Sequence, residues 1–324
     1  MNQAKITVME NKITKEYKNL AGMTVLKDGK TLYEHYFNGC TKHSRIHIYS
    51  VTKSIVSILI GIAIDQGYIK NTDQKVLEFF PDYTVKKREK TIQTITLKDL
   101  ITMTAPYKYK FAPYIKYFTS EDWVTFTLDL LGGNKQPGEF RYAPLIGPDI
   151  LCGILRNATG QSVLEFAAKN LFSPLGITVE RSITFQSKEE QMAFNKADNI
   201  SGWVSDPAGV NSGGWGLTLS PADMAKIGQL YLDNGLWNGS QIVSSGWVKE
   251  STKEHSRWDQ QKLSYGYLWW VNNDHEFSAM GDGGNVIYVN VEKNIVISIA
   301  AFFKPNVTDR IEFIKEFVEP AFEN

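Results

Sequence analysis

The chain has 324 residues, enough for two folding units of about 150 residues each or one large composite domain. Lys+Arg and Asp+Glu each number 35, so the formal net charge is zero. That excludes the basic field a nucleic-acid protein needs and the polybasic patch of a membrane-surface anchor. With 43% hydrophobic and 22% charged residues, the composition is that of a chain that buries a full core. Two cysteines, Cys40 and Cys152, are too few for a disulfide scaffold, and they read as two buried thiols rather than one bridge. Met1 to Leu20 carries Lys, Glu and Asn throughout and lacks the apolar stretch of a secretory signal. The longest apolar run, Ile55 to Ile64, is about half a membrane span and reads as a buried helix. The expectation is a cytoplasmic protein with no membrane segment.

Met23–Leu26 and Thr31–Phe37 flank Asp28-Gly29, a hairpin signal. Val51–Gln66 predicts a long apolar helix that stops at Gly67. Leu97–Met103 predicts a short helix. Residues 132–148 and 207–216, rich in Gly and Pro, read as loops. Val163–Leu171 predicts a helix capped by Ser162 and stopped by Pro174. Ser220-Pro221-Ala222-Asp223 opens another, with cap, first-position proline and first-turn acid, running to Asn234-Gly235. Tyr265–Val271 reads as a strand. Asn285–Val291 and Ile295–Phe303 flank a second hairpin turn, Glu292-Lys293-Asn294. Val307–Val318 predicts an amphipathic helix ended by Pro320. The predicted fold class is α/β of the α+β type, one domain spanning residues 1–324. Its body, residues 1–69 plus 201–324, carries an antiparallel sheet of roughly five strands built from both termini and flanked by helices. Residues 70–200 form a helical insertion subdomain.

Several chemistries can be struck off. None of His35, His43, His47, His255 and His275 stands in an HExxH, and there is no CxxC, so no metal site is predicted; His43 and His47, four apart, read as polar surface or structural residues. There is no GxxxxGK and no complete GxGxxG, so no nucleotide cofactor is expected. No serine sits in GxSxG, which removes the nucleophile elbow of the α/β-hydrolases.

What remains is Ser50-Val51-Thr52-Lys53, an SxxK at the start of the most apolar helix in the chain. Ser50 is the only serine with lysine three residues on. Residues i and i+3 share a helix face about 5–6 Å apart, so Lys53 can reach the Ser50 hydroxyl. Serine is a poor nucleophile until a base takes its proton. Lysine can be that base only if burial and neighbours bring its pKa down toward ~7–8. The helix N-terminus helps, because its partial positive charge disfavours an ammonium and favours a developing oxyanion. Taken alone, the tetrapeptide reads as a helix cap followed by a solvated lysine.

The neighbouring segments reverse that reading. Tyr49-Ser50-Val51-Thr52-Lys53-Ser54-Ile55 resembles the nucleophile segment of the serine β-lactamase and penicillin-binding-protein superfamily, in its class C β-lactamase-like esterase and peptidase branch. Gly29-Lys30 with Tyr33 and Tyr36, Ile64 to Ile69, and Ile95 to Thr104 resemble further segments in order. Pro137-Gly138-Glu139-Phe140-Arg141-Tyr142 resembles the segment that carries the catalytic tyrosine. Ser212 to Thr218 also matches, and Gly281-Asp282-Gly283-Gly284 falls where the family has its third motif. The resemblance spans roughly residues 20–305. It implies a metal-free serine hydrolase that works through an acyl-enzyme. Ser50 would attack, Lys53 accept the proton, and Tyr142 relay it to the leaving group. The amides of Ser50 and Asn285 would hold the oxyanion, and Gly283 and Gly284 would let the substrate approach closely.

Two departures bear on the substrate. Where the family commonly has YxN, this chain has Tyr142-Ala143-Pro144; where it has KTG or HxG, this chain has Asp282-Gly283-Gly284. A carboxylate stands where a cation would meet a β-lactam carboxylate, and like charges repel. The resemblance therefore implies a small neutral or amine-bearing ester or amide as substrate, with a D-amino-acid peptidase or weak β-lactamase as the alternatives. A sensor that acylates without turnover, and a scaffold with a dead site, are the readings of another class. The aromatics Trp269, Trp270, Tyr107, Tyr109, Tyr114 and Tyr117 read mainly as core.

Overall fold

The structure, a computed structural model, describes residues 2–323. Its frame is one eight-stranded sheet. The strands are β1 (Leu20–Lys27), β2 (Lys30–Tyr36), β3 (Ser256–Trp258), β4 (Leu263–Tyr265), β5 (Trp270–Asn273), β6 (Glu276–Gly281), β7 (Asn285–Asn290) and β8 (Ile295–Ala301). In space they run β2-β1-β8-β7-β6-β5-β4-β3, and every neighbouring pair is antiparallel. The sheet is indeed built from both ends of the chain.

Its size exceeds the sequence-based expectation for local reasons. Tyr265–Val271 is not one strand: the chain reverses between β4 and β5, pairing Tyr265 with Trp270, and Leu268 takes a positive φ of 61° in the turn. Tyr267, Leu268 and Trp269 are buried, and an apolar turn has the same composition as continuous strand. Composition does not announce β3 or β6; β6, Glu-Phe-Ser-Ala-Met-Gly, contains none of the β-branched residues that mark strands.

Strand alternation sorts side chains onto two faces. Met23, Val25, Val286, Tyr288, Ile297 and Ile299 meet the terminal helices on one face. One of these, α1 (Gln3–Glu16), goes beyond the sequence-based expectation, although Ile6, Met9 and Ile13 have helical spacing and are its buried residues. The other covers Arg310–Phe313, Ile314–Val318 and Glu319–Phe322. It starts later than expected, with Asp309 as its cap, and runs past Pro320. The backbone stays helical through a wider π turn over Ile314–Val318 and on past Pro320, which has no N–H to donate.

The other face carries Ala21, Ile287, Val289, Val296 and Ala300 in the cluster that also contains α2 (Val51–Asp65) and the residues of α4 below. Helix α2 is buried from Val51 to Ala63. Helix α3 (Pro148–Thr159) packs against it, and α4 (Pro221–Leu232) lies on β7 and β8, opened by Ser220 as predicted. Cys40 and Cys152 are free, buried thiols. Among the described residues no helix is long and apolar enough to cross a membrane.

Candidate active site

Ser50 occupies the cap position of α2, yet its side chain does not cap the helix. Its hydroxyl instead accepts a hydrogen bond from Lys53 Nζ at 2.8 Å. One turn of helix accounts for that meeting. Lys53 also donates to the Gly214 carbonyl at 3.0 Å and is 1% exposed. Burial brings its pKa down to about 7, against the opposing fields of Asp282 and Asp149. The residue before the nucleophile, Tyr49, has a positive φ of 50°, an uncommon conformation for a bulky side chain that turns the chain sharply into α2.

Tyr142 is half-buried, and the Lys53 nitrogen lies 5.1 Å over its ring centre. Burial pushes its phenol up to about 12, with the nearby Ser50 hydroxyl opposing the rise. An aromatic box holds the ring: Trp258 stacks at 6.2 Å and 9°, Trp270 lies at 5.5 Å, and Tyr265 meets it edge-on at 6.4 Å. The structure thus brings Ser50, Lys53 and Tyr142 together. The box comes from β3, β4 and β5, the part of the sheet least marked in the sequence.

The third segment runs from the end of β6 into β7. Gly281, the last residue of β6, is the one against the nucleophile: a Cβ there would lie 3.0 Å from Ser50 N and 2.4 Å from Ile48 O. Asn285 begins the next strand and is fully buried. Its side chain donates to the Asp282 and Ala301 carbonyls and accepts from Ala301 N–H, which ties β7 to β8. Gly283 and Gly284 have positive φ of 78° and 87°, and Cβ atoms there would strike the Phe302 carbonyl and the Arg310 guanidinium. These glycines serve a tight turn against the protein's own C-terminal segment. Asp282 itself is exposed and lines the cleft mouth.

That cleft holds about 400 Å³ and is lined by His47, Tyr49, Ser50, Tyr114, Trp215 and Asp282, among others. Of the two readings of His47, surface or structural, the structure supports the structural one. Its Nε2 accepts from Gly216 N–H at 2.9 Å, so Nδ1 carries the proton toward Asn195 Oδ1 at 3.1 Å. Burial holds it neutral, its pKa down to about 3. Among the described residues no cluster of His, Cys, Asp and Glu is arranged to hold a metal.

Asp149, buried behind Lys53, is the residue that sequence reasoning misses. Its carboxylate accepts from Tyr117 Oη at 2.6 Å and from Ser212 Oγ and Gly213 N at 2.9 Å each. An acid after a proline at a helix start reads as ordinary first-turn charge, so nothing local marks it.

A buried lysine against a helix-start serine, with a tyrosine beside it and an antiparallel sheet behind, is the arrangement that the resemblance to the β-lactamase and penicillin-binding-protein superfamily implies. The Beta-lactamase family profile matches residues 11–313, and the chain belongs to that family. It is 24% identical over 280 residues to the 6-aminohexanoate-dimer hydrolase of Paenarthrobacter ureafaciens, an alignment covering 80% of this chain and 66% of that protein. The chain thus spans just under two thirds of that relative's length. The fold is shared with an octameric penicillin-binding-protein homologue from Pyrococcus abyssi, at TM-score 0.71 and 20% identity over 96% of this chain and 76% of that one. It is shared equally with a family VIII carboxylesterase, at TM-score 0.70 and 15% identity over 98% and 96%.

Proposed function

We propose that the protein cleaves a small ester or amide through an acyl-enzyme on Ser50. The observation that carries this reading is the Lys53–Ser50 contact of 2.8 Å, made by a lysine whose pKa is brought to about 7. Near neutral pH a large fraction of such a lysine is an uncharged amine, able to take the serine proton as Oγ attacks the carbonyl. Tyr142 is not the base: a phenol at about 12 keeps its proton and acts as a donor. Its part is to pass a proton to the leaving group once Lys53 is charged. Water then attacks the acyl carbonyl, Lys53 takes the water's proton and returns it to Ser50 Oγ as the acyl–oxygen bond breaks, and the acid product leaves.

The oxyanion needs two N–H donors. The first is the Ser50 amide, which makes no backbone hydrogen bond among the described residues. The second, in this reading, is the Asp282 amide, which follows Gly281 directly, rather than that of Asn285 on the neighbouring strand. Among the described residues the cleft lining includes the Asp282 carboxylate and no lysine or arginine, which favours a neutral or ammonium-bearing substrate over an anion such as a penicillin. The relatives named as a 6-aminohexanoate-dimer hydrolase and a carboxylesterase support ester or amide cleavage.

The test is intact-mass spectrometry over time with a short-chain activated ester and with benzylpenicillin, using Ser50→Ala as control. An ester adduct that needs Ser50, forms, and clears with release of product is expected. An adduct that never clears would point instead to a sensor, and none at all would refute the nucleophile.

A further inference from the structure

Lys53 has two hydrogen-bond partners, and one of them, the Gly214 carbonyl, belongs to a loop. Something must fix that loop, or the lysine loses its geometry. Gly213 sits so tightly on the start of α3 that a Cβ there would lie 2.1 Å from the Pro148 carbonyl, and one on Gly214 would lie 2.7 Å from that of Pro144. Between these contacts lies Asp149, 1% exposed. One carboxylate oxygen takes both Ser212 Oγ and Gly213 N; the other takes Tyr117 Oη. Tyr117 belongs to the helical turn Tyr114–Phe118, whose Tyr114 and Phe118 line the Ser50 cleft. A single buried carboxylate therefore joins the loop that holds the base, the helix that follows Tyr142, and one wall of the cleft.

We propose that Asp149 is the positioning residue of this site, clamping the Ser212–Gly214 loop against Lys53 and holding a negative charge behind that lysine. The proposal rests on the reading of Lys53 as the base. Three donors aimed at one carboxylate stabilise its charged form and oppose the cost of burial. Burial wins in part, leaving the group at about 6, raised further by Asp206. Tyr117, Cys152 and Tyr107 also feel Asp149, and burial keeps all three protonated at neutral pH. Lys53 itself feels Asp282 from the cleft side and Asp149 from behind, with Ser50 and Tyr142 beside it. Both carboxylates raise its pKa, so removal of either should lower it.

The discriminating variant is Asp149→Asn, which keeps shape and an acceptor for Ser212 and Gly213 but carries no charge. Asp149→Ala would strand three buried donors and destabilise the fold. Lys53 is observed directly by NMR of 13Cε-labelled lysine, its signal assigned through Lys53→Arg. In the folded Asp149→Asn protein the Lys53 midpoint should fall by about half a unit or more. The acid limb of ester hydrolysis should move the same way, with kcat affected more than KM. An unmoved lysine midpoint in a protein that melts like the parent overturns the inference. Because the NMR readout needs no turnover, an Asp149-dependent midpoint in a protein that forms no Ser50 adduct would keep the inference while refuting the hydrolase reading.

Discussion

Lys53 and Tyr142 lie face to face, nitrogen 5.1 Å over ring centre, and burial drives them in opposite directions. It costs the ammonium, down to about 7, and it costs the phenolate, the phenol rising to about 12. Desolvation always penalises the charged form, so the pair becomes a neutral amine beside a neutral phenol. The expected kcat/KM for a neutral ester rises with pH through about 7 and then levels, because in the proposed mechanism Lys53 acts unprotonated. Were tyrosinate the base, the rise would lie several units higher. A profile flat from about pH 5.5 to 8.5 would remove Lys53 from its role.

Tyr142→Phe should fold normally, since the aromatic box packs against the ring and not the hydroxyl. Loss of a positioned proton donor predicts turnover slower by about 10²-fold or more, with little change in melting temperature. The drop should be larger for amides, whose leaving group needs the proton, than for activated esters. Equal losses on both substrates would argue that Tyr142 only shapes the cleft.

Burying Lys53 also weighs on stability. Its pKa is about 7 in the folded chain and 10.5 in its ordinary state, so the unfolded chain binds the extra proton between those values. The penalty is therefore complete below about 7 and fades as pH rises toward 10.5, at a maximum of order 5 kcal/mol before its hydrogen bonds offset part of it. Lys53→Met should be inactive yet more stable, by about 1–3 kcal/mol at pH 6, with the gain shrinking toward pH 10. Denaturant melts at both pH values check the sign. A variant less stable than the parent at pH 6 would show that the contacts to Ser50 and Gly214 outweigh desolvation.

The legible parts of the site are those set by helical spacing. Ser50 and Lys53 sit three residues apart on a strongly apolar helix, and one turn of backbone fixes their distance. Tyr142 is legible only through its resemblance to a known segment, because its place over Lys53 depends on packing against Trp258 and Trp270, more than a hundred residues away. The two hairpins at β1–β2 and β7–β8 announce themselves by their turns. The strands β3 and β6 do not, and β4 and β5 read as one strand over Tyr265–Val271, since their identity comes from pairing within the sheet rather than from composition. Asn285 shows the same limit. A one-dimensional motif cannot say which amide of Gly281-Asp282-Gly283-Gly284-Asn285 faces the nucleophile, whereas the end of β6 at Gly281 brings that glycine to the Ser50 amide.

Asp282 lines the cleft mouth with its side chain exposed, so its charge can act both on substrate and on Lys53. Asp282→Lys should raise kcat/KM for an anionic substrate such as benzylpenicillin by about 10-fold while lowering it for an amine-bearing ester. The shift should weaken with added salt, because the residue is exposed. Asp282→Asn should move the acid limb of ester hydrolysis to lower pH, since Asp282 raises the Lys53 pKa. Unchanged selectivity in Asp282→Lys would show that the side chain does not meet the substrate's charge.

Gly281 offers the sharpest test of how the oxyanion site is built. Its φ of −135° suits any residue, so backbone strain is not the reason for glycine. The reason is space: a Cβ would lie 2.4 Å from the Ile48 carbonyl, 3.0 Å from the Ser50 amide and 3.1 Å from that of Val51. All three contacts are backbone atoms, which cannot swing aside as a flexible side chain would. Gly281→Ala must therefore push β6 away from the start of α2, and the Asp282 amide moves with it. The expected result is turnover slowed by about 10²-fold or more, the scale of one lost oxyanion donor, with Lys53 still titrating near its parental midpoint. Asn285→Ala, in contrast, cuts the tie between β7 and β8 and should lower the melting temperature. If Gly281→Ala kept full activity, the Asp282 amide would not be the second donor.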